Sequence, residues 1–258
     1  MKRFKSILVL TLVVVLTFVA GVGVTMAYFM DDDAQVNTFT TGNVAIDLWE
    51  DFGDKDTPGI AELIPATGSA QDGTLKNGVE KEVYVKNTGS EDAYVRVHIA
   101  IPQILDNGSP SFDAGQNVLH FNYTKESVEA GLWNWSAAYE GTVADDGWNF
   151  YTAEIKEGIW YNVYVVTYET ALKDGDQTVD AMHQVYLDKK VTNDDITDIK
   201  EILGEQWKIY VVAEGTQAAG FDNAYQALNE SFGTPGTTGY VAPNFLATAE
   251  NDTWKNND

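Results

Sequence analysis

The chain contains no cysteine. That excludes a disulfide framework, cysteine-based metal sites and thiol chemistry, so stability has to come from packing. Basic residues are scarce: 16 Lys and Arg stand against 39 Asp and Glu, a formal net charge of −23. Such a surface repels phosphate backbones and anionic lipid heads, which excludes nucleic acid as a partner. There are only three histidines, His98, His120 and His183. No two of them lie one helical turn apart, so the His-Glu-x-x-His arrangement of a zinc peptidase is missing. Gly-x-Ser-x-Gly is also missing, as are phosphate-binding loops. Acidic residues are too abundant for any pair of them to single out glycoside chemistry. No catalytic site is expected.

Long apolar runs are confined to the first residues. Lys2, Arg3 and Lys5 are followed by an uncharged stretch from Ser6 to Met30, with the small residues Thr25 and Ala27 near its end. A basic head, an apolar body and a small-residue end form a secretory signal, with cleavage expected between Ala27 and Tyr28. An uncleaved anchor is the alternative, because the run is long enough to span a bilayer. Removing the three basic residues takes the charge from −23 to −26. The tail from Asn251 is polar, so no C-terminal anchor is expected.

Beyond the leader, period-two alternation dominates. Val44, Ile46 and Leu48 share one face of a strand over 42–49. Residues 50–78 read as loop, rich in Asp, Gly and Pro. Residues 81–86 and 94–101 read as a hairpin joined by Asn87-Thr88-Gly89-Ser90, with Val95, Val97, Ile99 and Ile101 on one face and Tyr94, Arg96 and His98 on the other. Residues 103–158 read as short strands and long loops. The β-branched and aromatic run 159–170 is the strongest strand, and 181–187 and 207–213 are further strands. Asn193 is expected to cap a helix ending at Gly204, and Asp222 a second ending near Gly233. The pattern predicts an all-β fold: a jelly-roll-like two-sheet sandwich over 42–235 with two short helices in loops. It is preceded by the signal (1–27) and a strand segment (28–41), and followed by a loosely ordered tail (236–258).

Three blocks resemble the TasA/camelysin family of Gram-positive secreted proteins. The first runs from Ala27 through Asp31-Asp32-Asp33 to Asn43-Val44. The second runs from Val83 to Ser90 and on through Tyr94 to Val97. The third runs from Val211 to Asp222, with Ala224 to Leu228 after it. Asn87, Gly89, Arg96, Gln217 and Phe221 stand at motif positions. The resemblance implies export through a SipW-type signal peptidase, a jelly-roll domain and self-assembly into extracellular fibres of a biofilm matrix, where the N-terminal strand of one subunit completes a sheet of the next. Strand donation suits an open sheet edge, and a head-to-tail contact that does not close yields a filament. The donor segment is then 28–41, with Tyr28, Phe29, Val36, Thr38, Phe39 and Thr40 as its pairing residues. The other reading places this segment as an edge strand of its own domain.

Two further classes compete. Trp133, Trp135, Trp148, Trp160 and Tyr161 would form a platform for matrix polysaccharide if exposed, making the protein a carbohydrate-binding or adhesion sandwich; buried, they are core. Camelysin-type members have been described as metallopeptidases, but the histidines here do not support that. The clusters Asp31-Asp32-Asp33, Asp54/Asp56, Asp145-Asp146, Asp174/Asp176 and Asn193-Asp194-Asp195 are oxygen-rich, yet none completes a calcium loop ending in Glu. No cofactor is expected; weak calcium screening at Asp31, Asp32 and Asp33 is the most these clusters support.

Overall fold

The computed structural model describes residues 30–32, 44–54, 57–58, 63–68, 74–106, 118–122, 132–135 and 150–246. Their strands are β1 (Met30–Asp32), β2 (Ile46–Asp54), β3 (Thr57–Pro58), β4 (Val79–Asn87), β5 (Ala93–Pro102), β6 (Leu119–Asn122), β7 (Trp133–Asn134), β8 (Phe150–Lys156), β9 (Ile159–Leu172), β10 (Met182–Leu187) and β11 (Tyr210–Gln217). Two helices, α1 (Asn193–Leu203) and α2 (Ala224–Phe232), flank β11. The strands form two sheets. The large one has the order β1-β11-β5-β9-β7, with β8 also on β9, and the small one β3-β2-β4-β10-β6. The fold is thus an all-β two-sheet sandwich. No helix among the described residues is long and apolar enough to cross a membrane. The leader lies outside the described residues.

Alternation builds the core. Val95, Val97, Ile99 and Ile101 of β5 meet Val83 and Val85 of β4, Tyr164 and Val166 of β9, Val185 of β10 and Ile46 of β2 in one cluster between the sheets. Each such side chain contributes about 1.5–3 kcal/mol by leaving water. The opposite face of β5 is buried as well, because α2 and the C-terminal segment cover the large sheet. Ala100, Tyr161, Val163, Tyr210 and Val212 form a second cluster there with Phe245. Residues 236–246, expected to be loosely ordered, are therefore part of the packed domain, and Phe245 is their anchor.

The expected hairpin over 81–101 does not form. β4 pairs with β2 and β10 in the small sheet, whereas β5 pairs with β11 and β9 in the large one. Asn87 to Ser90 is a crossover between sheets. The backbone N–H groups of Thr88 and Gly89 both donate to Ala45 O, at 2.8 and 3.0 Å. The buried Asn87 side chain donates to Glu91 O (2.8 Å) and Leu172 O (2.9 Å) and accepts from Gly89 N (2.9 Å). Turn-forming residues here splay two strands apart instead of folding them together.

Other boundaries moved for similar reasons. β2 runs on to Asp54 because β4 supplies partners as far as Phe52↔Lys81 and β3 supplies them for Gly53 and Asp54. β11 begins at Tyr210 and continues through Glu214-Gly215-Thr216-Gln217, a stretch with loop composition, because β5 pairs with all eight of its residues. Gly215 permits the sheets to approach there: a Cβ at that position would stand 2.8 Å from Cγ2 of Ile46 on β2. α1 is capped by Thr192, one residue before Asn193. Thr192 Oγ1 accepts from Asp195 N, and the Asp195 carboxylate accepts from Thr192 N (2.8 Å), a reciprocal capping box. α2 is capped by Asn223, one residue after Asp222. Adjacent residues could each serve chemically, and the extended backbone of Thr192 and Asn223 decides which does.

Candidate functional site

Parts of all three sequence blocks that carry the resemblance lie side by side at one edge of the large sheet. β1 belongs to the first, β5 to the second and β11 to the third, and they lie side by side. Met30 pairs with Thr216, Asp31 with Gly215 and Asp32 with Glu214, antiparallel. β11 in turn pairs with β5 from Tyr210↔Ala100 to Gln217↔Ala93. β1 covers only the last part of β11. Along Tyr210–Ala213 no strand pairs with that side among the described residues. Tyr28, Phe29, Val36, Thr38, Phe39, Thr40 and Asp33 lie outside the described residues, as does the cleavage position after Ala27.

Beneath this edge is a buried ionic cluster. Arg96 and His98 of β5 point away from the sandwich core toward α2. Arg96 Nε donates to Glu214 Oε2 at 2.5 Å, and His98 Nε2 lies 2.9 Å from the same oxygen. The other guanidinium nitrogens of Arg96 donate to Asn229 Oδ1 (3.1 Å) and Gly233 O (3.2 Å), and its Cζ sits 5.7 Å from the Phe232 ring centre. A cation at the last turn of α2 also complements the helix dipole. Burial alone would raise the Glu214 pKa, but the charges and hydrogen bonds of His98 and Arg96 outweigh it and hold the carboxyl at about 2. Arg96 thus joins the second block to the third, and Thr216 Oγ1 to Ser231 Oγ (2.8 Å) adds a further tie to α2. Of the remaining motif residues, Asn87 and Gly89 build the crossover, Gln217 closes β11, and Phe221 donates its N–H to Ala218 O in the turn before α2.

The three histidines do not converge. His98 belongs to the cluster just described. His120 Nε2 lies 2.7 Å from Asp188 Oδ2, stacked on Tyr186. His183 stands beside Glu82 and Asp180 on the small sheet. Nothing in the sequence pattern marked that last trio, because its members come from β4, the segment before β10, and β10. Burial, first, and then the Glu82 charge push the Asp180 carboxyl up to about 6, against a smaller opposing effect of His183. A raised carboxyl pKa means the fold is favoured below the ordinary value of 3.8 and loses that contribution as pH rises through about 6. Asp180→Asn should therefore stabilise the protein at pH 7 in chelator-treated buffer by on the order of 1 kcal/mol, a figure already reduced for partial exposure. Urea unfolding at pH 7 and pH 3.5 checks this: the gain should vanish at the lower pH.

Trp133, Trp135 and Tyr161 are buried in the two apolar clusters, while Trp160 is exposed; Trp148 lies outside the described residues. Among the acidic clusters, Asp195 is engaged in capping α1, and Asp31 and Asp32 form β1. No protein-family model matches the chain, and no curated protein matches it.

Proposed function

We propose that this is a secreted structural protein that assembles with copies of itself into extracellular fibres, the N-terminal strand of one subunit pairing with the β11 edge of the next. The observation that carries the reading is the position of β1: three residues on the open edge of the large sheet, contiguous with a segment expected to begin at a signal cleavage site. A three-residue strand at a sheet edge opens at low cost. Moving it to the same edge of another copy restores its own main-chain hydrogen bonds, so the exchange is nearly neutral apart from the entropy of association. The unpaired side of Tyr210–Ala213 gives a longer donor segment more backbone to bond, which tips the balance toward exchange. The resemblance of the three blocks to fibre-forming matrix proteins supports the same reading, because each block contributes a strand to this part of the large sheet. The role is structural, with no catalytic step assigned, and the SipW-type signal peptidase would act as the trigger by freeing the strand.

Electron microscopy and analytical ultracentrifugation of the chain starting at Tyr28, compared with one lacking residues 28–41, test the proposal. The longer form should yield filaments. The shorter should remain a folded monomer, because Arg96, Glu214 and the core do not depend on β1. Polymerisation of the shorter form at an unchanged rate overturns strand donation.

A further inference from the structure

We propose that Glu82, Asp180 and His183 form a binding site for a divalent transition-metal ion of the zinc class. The trio offers one imidazole nitrogen and two carboxylate oxygens, all within 4.8 Å of one another, and it is the metal-competent group of this kind found among the described residues. Donors around a tetrahedral zinc ion at ~2.0–2.2 Å stand about 3.4 Å apart. Small side-chain rotations therefore close the trio on an ion.

The backbone holds the three donors in place. The segment before β10 is fastened to β4 by main-chain bonds: Asn87 N to Asp176 O (2.9 Å), Thr178 N to Val85 O (2.8 Å) and Ala181 N to Val83 O (2.6 Å). Thr178 Oγ1 also accepts from Val85 N at 3.0 Å. Asp180 is thereby fixed alongside Glu82. The β4–β10 ladder then slips. Met182 faces Val83 and Gln184 faces Glu80, so His183 stands alone opposite two residues, Lys81 and Glu82. Met182 and Val185 both lie in the core, which leaves His183 and Gln184 off the inner face between them. Such irregularities re-aim a side chain, and they recur next to functional sites.

An independent observation concerns the imidazole itself. Nδ1 of His183 is closed off from solvent and has no hydrogen-bond partner among the described residues. Buried polar atoms are rarely left so. Two carboxylates set beside each other repel, and a cation held between them and the imidazole relieves that repulsion. The donor chemistry selects the ion. Calcium takes six to eight oxygens and magnesium demands an oxygen octahedron, whereas one nitrogen and two oxygens with room for water suit zinc and its neighbours. In a chain without cysteine, the bound ion would tie the 176–181 segment to both β4 and β10.

Zinc titration by calorimetry of the chelator-treated chain starting at Tyr28 is the test, with thermal unfolding in parallel. One zinc per chain and a rise in Tm are expected, with no rise from calcium at equal ionic strength. His183→Gln and Asp180→Asn should each lower zinc affinity by ~100-fold or more, while Asp194→Asn on the exposed start of α1 should not. Near-UV circular dichroism checks that the variants are folded. If one variant fails to fold, the other and the visible spectrum of the cobalt-loaded unaltered protein decide: four-coordinate bands support the site. Absence of stoichiometric zinc uptake, or uptake unchanged in a folded His183→Gln or Asp180→Asn protein, overturns it.

Discussion

Glu214→Gln should destabilise the protein by about 3–5 kcal/mol at neutral pH. Glutamine keeps the shape but removes the charge that Arg96 and His98 share. The guanidinium would stay buried, 2% exposed, with only neutral partners in Asn229 and Gly233 O. The lowered pKa of Glu214 gives an independent figure. A fall from 4.5 to about 2 corresponds to ~3 kcal/mol of preference for the ionised form in the fold. The sign follows from linkage: a carboxylate with a lowered folded pKa stabilises fully above its ordinary pKa and loses that contribution as pH falls toward 2. The unaltered protein should therefore lose stability steeply between about pH 4.5 and pH 2, and the glutamine variant should show a much flatter profile over that window. Denaturant midpoints measured across the range check both statements. An acid profile unchanged by the substitution would mean that other carboxylates dominate acid unfolding.

Asn87→Ala should cost about 3–5 kcal/mol, through a different mechanism. Three hydrogen bonds vanish, leaving Glu91 O and Leu172 O without the donor the side chain supplies, while Gly89 N keeps Ala45 O. Each buried group so abandoned costs about 1–3 kcal/mol, less where water enters. Asn87→Asp is the informative companion. It retains an acceptor for Gly89 N but turns a carboxylate oxygen toward two carbonyl oxygens. At pH 7 it should be at least as unstable as the alanine variant, and acidification should recover part of the loss as the carboxyl gains a proton to donate. Thermal unfolding of the three proteins at pH 7 and pH 4.5 distinguishes this from a simple loss of volume.

Both residues show what an alternating pattern leaves undetermined. Around Asn87 the sequence reads as a hairpin: two alternating strands joined by Asn, Thr, Gly and Ser. Those residues do supply the turn, but the carbonyl of Ala45 and the carbonyl of Leu172 draw it open, and both come from elsewhere in the chain. Arg96 and His98 read as the polar face of a half-exposed strand. They are instead buried under α2 and bound to Glu214, with Arg96 and Glu214 separated by 118 positions. The aromatic residues of 133–161 read as core more readily than as platform; packing places Trp133, Trp135 and Tyr161 inside and leaves Trp160 outside.

The sequence by itself determined the absence of thiol chemistry, the acidic surface, the sandwich class, and the presence of both helices with Gly204 and Gly233 at their ends. These follow from composition and from local rules of period, turn and cap, which need no knowledge of distant neighbours. Only the tertiary structure decided which strands pair, where β11 ends, which residue caps each helix, and that strands from all three blocks lie side by side in the large sheet. It alone also brought Glu82, Asp180 and His183 together. Period two assigns a side chain to a face but names no partner across it. Partners are chosen by main-chain hydrogen bonds and buried contacts between segments far apart in sequence, and those energies have no local signature.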